Sequence, residues 1–314
     1  MSETVKIACL GGGNAMPKAV LKELKNRDVE ISAICAMLDS GGSSGRLRKE
    51  YGILSPGDIR RAFIALANTS PVIEELFDYR FQAGELQGHN FANLFITALN
   101  LSTNDSEKTF EAMNNILNVT HEVLPVTLDT AEVCAVLEDG SVIEGETNID
   151  IPKHDPKLKI EKVFLRPGAK AYPKALNAIH RADKIVLGPG DLYSTLAQIL
   201  LTEGVAEAIR NSNGKTIYVC NLMTKKGETD GFGVKKFTFE AEKLLGGFFD
   251  KVIYNTNIPK KKRLNKYKKD HPELIEMVHF DDLDKEKFVG DDLLQEETKI
   301  VHDSEKLVNL ILKI

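Results

Sequence analysis

The chain has 314 residues, of which 42% are hydrophobic and 28% charged, with 41 Lys plus Arg against 46 Asp plus Glu and a formal net charge of -5. That length and apolar fraction supply a sizeable core and exclude disordered or collagen-like chains, while the acidic balance argues against a nucleic-acid binder. No apolar run reaches the roughly 18 to 20 residues of a bilayer span, and the first residues lack a signal-peptide pattern, so the expectation is a cytoplasmic protein with no membrane span. Cys9, Cys35, Cys134 and Cys220 stand singly, without a CxxC pair, and read as small buried hydrophobes. The seven histidines contain no HExxH, so no zinc site is expected.

Short apolar runs alternate with amphipathic ones along the chain, the pattern of an α/β protein whose strands lie in a mainly parallel sheet. The first expected strand, Val5 to Leu10, ends in Gly11, Gly12, Gly13 and Asn14, and a helical pattern follows from Pro17 to Asn26. Glycines at such a turn admit a phosphate close to the backbone, and the start of a helix favours negative charge. Tight packing accounts for the same glycines equally well. Met16 stands where the dinucleotide fingerprint needs its third glycine, and no GK[ST] completes a P-loop.

The second expected strand, Ile31 to Leu38, delivers Asp39 and then a turn to the same sheet edge. Gly41, Gly42 and Gly45 predict a flexible turn with free N–H groups; Ser43 and Ser44 add hydroxyls, and Arg46 adds a fork for a phosphate. Asp39 suits a ribose or sugar hydroxyl, or a magnesium ion, which takes oxygen ligands. Asp58 begins the next helix, over Asp58 to Asn68, either as a cap or as a ligand contact. His89 and Asn93 flank the start of a helix over Asn90 to Asn100, placed to face a crevice or to satisfy the helix end. A further helix runs from Glu107 to Asn118.

Residues Val123 to Ile149 break the rhythm, and Val133 to Leu137 with Val142 to Glu146 read as a hairpin, giving a β-ribbon insertion around residues 121–150. A strand over Lys184 to Leu187 then leads into Gly188, Pro189, Gly190 and Asp191, with Ser194 in the helix from Leu192 to Leu201. This third glycine turn can take a second phosphate or the sugar end of one ligand. The strand Thr216 to Asn221 ends at Asn221, and Thr229 and Asp230 follow in a polar turn. After a helix over Val234 to Leu245 and a strand over Lys251 to Asn255 comes a Lys/Arg-rich run, Lys260 to Lys269, which carries Tyr267. It reads either as a solvated face, paired with the acidic tail from Asp281 to Glu297, or as a helical flap around residues 258–272 over an anionic ligand. A last strand is expected over Lys299 to His302.

Several of these motifs, in this order, resemble the gluconeogenesis factor family within the CofD-like proteins, which include the 2-phospho-L-lactate transferases. The matching stretches are GGGN, LDSGGSSGRLRKEYGILSPGDIRR, GHNFANL, GPGDLYST and VCNLMTKKGETDGF, so the similarity runs the length of the chain. The resemblance implies one Rossmann-like CofD domain over residues 1–314, with three α/β/α layers and the small hairpin insertion. It further implies a cytoplasmic homodimer that binds UDP-sugars such as UDP-N-acetylglucosamine and acts on a protein partner, linked to carbon metabolism and cell shape, with no cofactor required. The alternative it implies is a phospho-lactate transferase that uses a nucleotide-activated donor, magnesium on Asp39 and a deazaflavin alcohol acceptor. Two departures bear on the choice. Family members pair two acids after the second strand, whereas Asp39 is followed by Ser40; Tyr267 matches the family's aromatic residue, but Val301 stands where an arginine is usual.

Overall fold

The computed structural model describes residues 4–296 and 299–314, so Glu297, the end of the expected acidic tail, lies outside the described residues. In chain order the strands are β1 (Val5–Gly11), β2 (Val29–Cys35), β3 (Glu122–Pro125), β4 (Glu132–Leu137), β5 (Val142–Glu144), β6 (Ile160–Arg166), β7 (Lys184–Leu187), β8 (Lys215–Val219), β9 (Met223–Lys225), β10 (Lys251–Asn255), β11 (Leu274–Met277) and β12 (Phe288–Asp291). Seven of them form a parallel sheet in the order β12-β10-β8-β7-β1-β2-β3. Its central strands are apolar along nearly their whole length because both faces are covered: Leu10, Ile34, Val186 and Tyr218 are each at most 1% exposed.

From β1 the chain moves outward through β2 to β3, then returns to the other side of β1 with β7 and continues to β8, β10 and β12. Right-handed crossovers running in these opposite directions put their helices on opposite faces, which makes the three layers. The reversal between β1 and β7 splays their outgoing loops apart and opens a crevice at the carboxyl ends of the strands. Beside this sheet, β5, β4 and β6 form a small antiparallel sheet, and β9 pairs with β11.

Several elements differ from the sequence expectation. The glycine-rich stretch after Asp39 is a helix, Gly42–Tyr51, rather than a flexible turn; Leu47 is its only buried apolar side chain, so it carries little periodic signal. The ribbon begins at β4 and gains a third strand, β6, while β3 belongs to the large sheet. Residues Lys299 to His302 are not a strand: His302 makes a single bridge to Leu294, and Asp303 at once caps the helix Ser304–Lys313. The edge position goes instead to β12, whose half-exposed FVGD lacks the apolar density of a central strand. The basic run forms the helix Lys261–Asp270. Among the described residues it makes no ion pair with the acidic tail; Arg263 donates to the carbonyls of Gln295 and Lys299 instead. Among the described residues no helix is long and apolar enough to cross a membrane.

Candidate functional site

The loops that follow β1, β2 and β7 enclose a crevice of about 510 Å³ over the switch point. Its floor is Gly12, Gly13 and Asn14. One wall is Asp39 with Gly41 to Ser44, and the other is Gly190, Asp191 and Thr195. The helix Gly42–Tyr51 starts from an extended Gly41 that offers no side-chain cap, so its first-turn N–H groups are left for a ligand. The two serines of that turn are oriented from behind by the helix Phe91–Thr103. Ser43 Oγ accepts from the Asn90 N–H at 3.3 Å and lies 3.1 Å from His89 Nδ1. Ser44 Oγ accepts from Asn93 Nδ2 at 3.1 Å, which leaves its hydroxyl hydrogen to donate into the crevice. Asn93 Oδ1 is buried at the same wall and, among the described residues, has no hydrogen-bond partner.

Three carboxyl groups converge beside this helix start. Asp39 Oδ1 accepts from the Gly41 N–H at 2.8 Å, and Asp58 Oδ1 accepts from Arg61 Nη1 at 2.5 Å. Glu146, from the short helix Glu146–Asp150 after the ribbon, completes the group. The approach depends on two glycines: a Cβ on Gly12 would stand 2.5 Å from Asp58 Oδ2, and one on Gly57 would stand 2.5 Å from Asp39 Oδ2. Ser40 bonds Thr147. Asp58 and Glu146 thus add carboxyls to the crevice that Asp39 lines.

Crowding of like charges shows in the acidities. Burial pushes Asp58 up to about 6; Arg61 opposes the rise and Asp39 adds to it. Burial, then the charges of Asp39, Asp150 and Asp58, push Glu146 up to about 8. Arg60, Arg61 and Arg80 line the same crevice, Arg61 paired with Asp58 and Arg60 reaching Asp78. Among the described residues, the carboxylates close enough together to share one hard ion are Asp150, Asp191 and Glu228, whereas Asp39, Asp58 and Glu146 line the crevice without meeting at one point.

The crevice therefore gathers Gly12, Gly13, Asn14, Asp39, Gly41, Gly42, Ser43, Ser44, Asp58, Asn93, Gly190 and Asp191 from the residues singled out in the sequence. Others do not line it. Arg46 is exposed and donates to the Gln87 carbonyl at 3.1 Å, so it is not placed to hold the phosphate expected of it. His89 reaches the crevice only through Ser43, and Gly45 belongs to the helix behind it. Gly11 packs against Met16, while Gly188 and Pro189 precede the wall. Ser194 is fully buried behind Asp191, and Thr229 Oγ1 accepts from the Lys225 N–H. Asp230 accepts from the Gly227 N–H, and Asn221 lies off the crevice. Tyr267 packs with Leu264 on the small cluster of Leu222, Met223, Leu294 and Ile300, its ring 4.4 Å from that of His271. Arg60, Arg61, Arg80, Glu146, Asp150 and Lys225 line the crevice with no role read from sequence. Only the arginine pair after Pro56-Gly57-Asp58 gave a signal, two cations one turn into a helix that starts at the sheet edge.

Sheet order and crevice define a doubly wound α/β protein of the Rossmann-like kind. Residues 7–297 match the family described as 2-phospho-L-lactate transferase CofD. The gluconeogenesis factor of Bacillus subtilis is 32% identical over 323 residues, which span 100% of this chain and 99% of the relative. That of Listeria innocua is 35% identical over 316 residues, covering 98% and 94%. A crystal structure of a UPF0052 family member from Bacillus halodurans superimposes with a TM-score of 0.91 at 32% identity, covering 99% of this chain and 100% of that one. The chain belongs to the CofD family and, within it, to the gluconeogenesis factors.

Proposed function

We propose that this chain is a cytoplasmic nucleotide-sugar-binding regulator that reports UDP-sugar supply to a protein partner in carbon metabolism and cell-shape control. The observation that carries this reading is the uncapped start of Gly42–Tyr51, which offers its N–H groups and the Ser44 hydroxyl to a crevice that also holds Arg60, Arg61 and Arg80. A diphosphate matches that array, because its oxygens accept from backbone donors and arginine forks alike. Gly12 and Gly13 let it lie against the backbone. Regulation by ligand-dependent partner binding requires no nucleophile or general acid. Calorimetric titration with UDP-N-acetylglucosamine, UDP-glucose and GDP, each with and without magnesium, tests it: UDP-sugar binding without a metal requirement supports the regulator.

A second reading rests on Asp39, which lines the crevice at the end of the second strand. It would hold magnesium against the phosphates of a nucleotide-activated donor, and the ion would neutralise charge on the leaving group of a phospho-lactate transfer. Binding of GDP only with magnesium, together with turnover on a deazaflavin alcohol, favours this reading over the first.

A further inference from the structure

The β7 and β8 side of the crevice carries a charged corner that phosphate binding leaves unused. Lys225, the last residue of β9, has a side chain only 9% exposed. Its Nζ donates to Asp191 Oδ2 at 2.9 Å and to Asp150 Oδ1, and lies 3.8 Å from Glu228 Oε2. Glu228 Oε1 accepts the N–H groups of Tyr193 and Ser194 at 2.8 and 3.1 Å, which pins the turn that presents Asp191. Asp150 arrives from a different element, the short helix beyond the ribbon. One ammonium therefore fixes two carboxylates from separate parts of the fold.

The accessible atoms of this corner are acceptors. The Asp150 and Asp191 side chains are 30% and 38% exposed and line the crevice, and two of the ammonium donors are directed at them. Glu228 is 5% exposed, and among the described residues its Oε2 has no hydrogen-bond partner, with Lys225 Nζ 3.8 Å away. Three carboxyls surround one cation, so negative charge is in excess and a further anion is opposed. A hydroxyl, by contrast, donates to a carboxylate at little cost, and neighbouring ring hydroxyls can meet two acceptors held side by side.

We propose that Asp150 and Asp191, positioned by Lys225, form the hydroxyl-recognising end of the crevice and select a neutral, hydroxyl-rich sugar over a uronic acid on the same nucleoside diphosphate. This rests on the nucleotide-sugar reading and adds its sugar class. Lys225 is a positioning residue: two of its three donors are given to Asp150 and Asp191.

Calorimetry with UDP, UDP-glucose and UDP-glucuronic acid, without divalent cations, tests the assignment. The wild type should bind UDP-glucose about ten-fold or more tighter than UDP-glucuronic acid, as like-charge contacts are costly. Asp191→Asn should close most of that gap and change UDP-glucose affinity more than UDP affinity; if it fails to fold, Asp150→Asn carries the same expectation. Lys225→Met should lose the advantage of UDP-glucose over UDP, and Lys225→Arg should restore it. Equal wild-type affinity for the two nucleotide sugars, or an Asp191→Asn loss as large for UDP as for UDP-glucose, overturns the proposal alone. No UDP binding by the wild type overturns the nucleotide reading and this proposal with it.

Discussion

Glu146 illustrates how a single carboxyl can couple the crevice to pH. Its acidity is shifted from the ordinary 4.5 up to about 8 by burial and by the neighbouring Asp39, Asp150 and Asp58. The folded chain therefore holds a proton that the unfolded chain has released, and stability contributed by the neutral form is lost as pH rises between those two values. Replacing Glu146 with Gln should flatten that decline, read as urea midpoints from pH 5 to 8; parallel wild-type and variant curves would refute it. The arginines divide in the same residue-by-residue way. Arg80→Ala should weaken nucleotide-diphosphate binding about ten-fold, whereas Arg46→Ala should leave it unchanged, because Arg80 lines the crevice and Arg46 does not.

At the scale of elements, two helix starts have to meet within van der Waals contact. Gly57 opens the helix Gly57–Leu66 directly against the start of Gly42–Tyr51, where a Cβ would fall 2.5 Å from Asp39 Oδ2 and 2.6 Å from Ser44 Oγ. Gly57→Ala should cost about 1 to 3 kcal/mol of stability by overpacking and should weaken ligand binding as well, since Asp39 and Ser44 are both crevice residues. Chemical denaturation followed by calorimetry separates the two losses. An alanine accepted without either would show that the elements can part, and that the crevice wall is not set by this contact. The same scale explains why the glycine motif misleads when read alone: its glycines serve helix-to-strand contact as much as backbone approach to a ligand.

Across the whole molecule, the crevice joins loops from both halves of the sheet, so a ligand seated there ties β1, β2 and β7 together. A nucleotide sugar at about 100 times its dissociation constant should raise the unfolding free energy by about 2.7 kcal/mol. Thermal melts at increasing ligand check this; a melting temperature indifferent to UDP-sugars would remove the nucleotide reading.

Sequence alone determined the α/β class, the central strands and the glycine turns at their ends, because strands buried on both faces must be continuously apolar and turns into helices need small or capping residues. It also singled out Asp39, Ser43, Ser44 and Asp191, which lie at those turns. Tertiary structure decided the rest. The edge strand β12 and the helix Gly42–Tyr51 bury too little apolar surface to leave a periodic trace. Asp58, Glu146 and Asp39 are brought together only by folding, as are Lys225, Asp150 and Asp191, and their charges read locally as ordinary surface polarity. Arg46 turned outward and Tyr267 into a small core because local spacing fixes which residues are neighbours along an element, while the direction a side chain takes depends on what packs against that element from elsewhere in the chain.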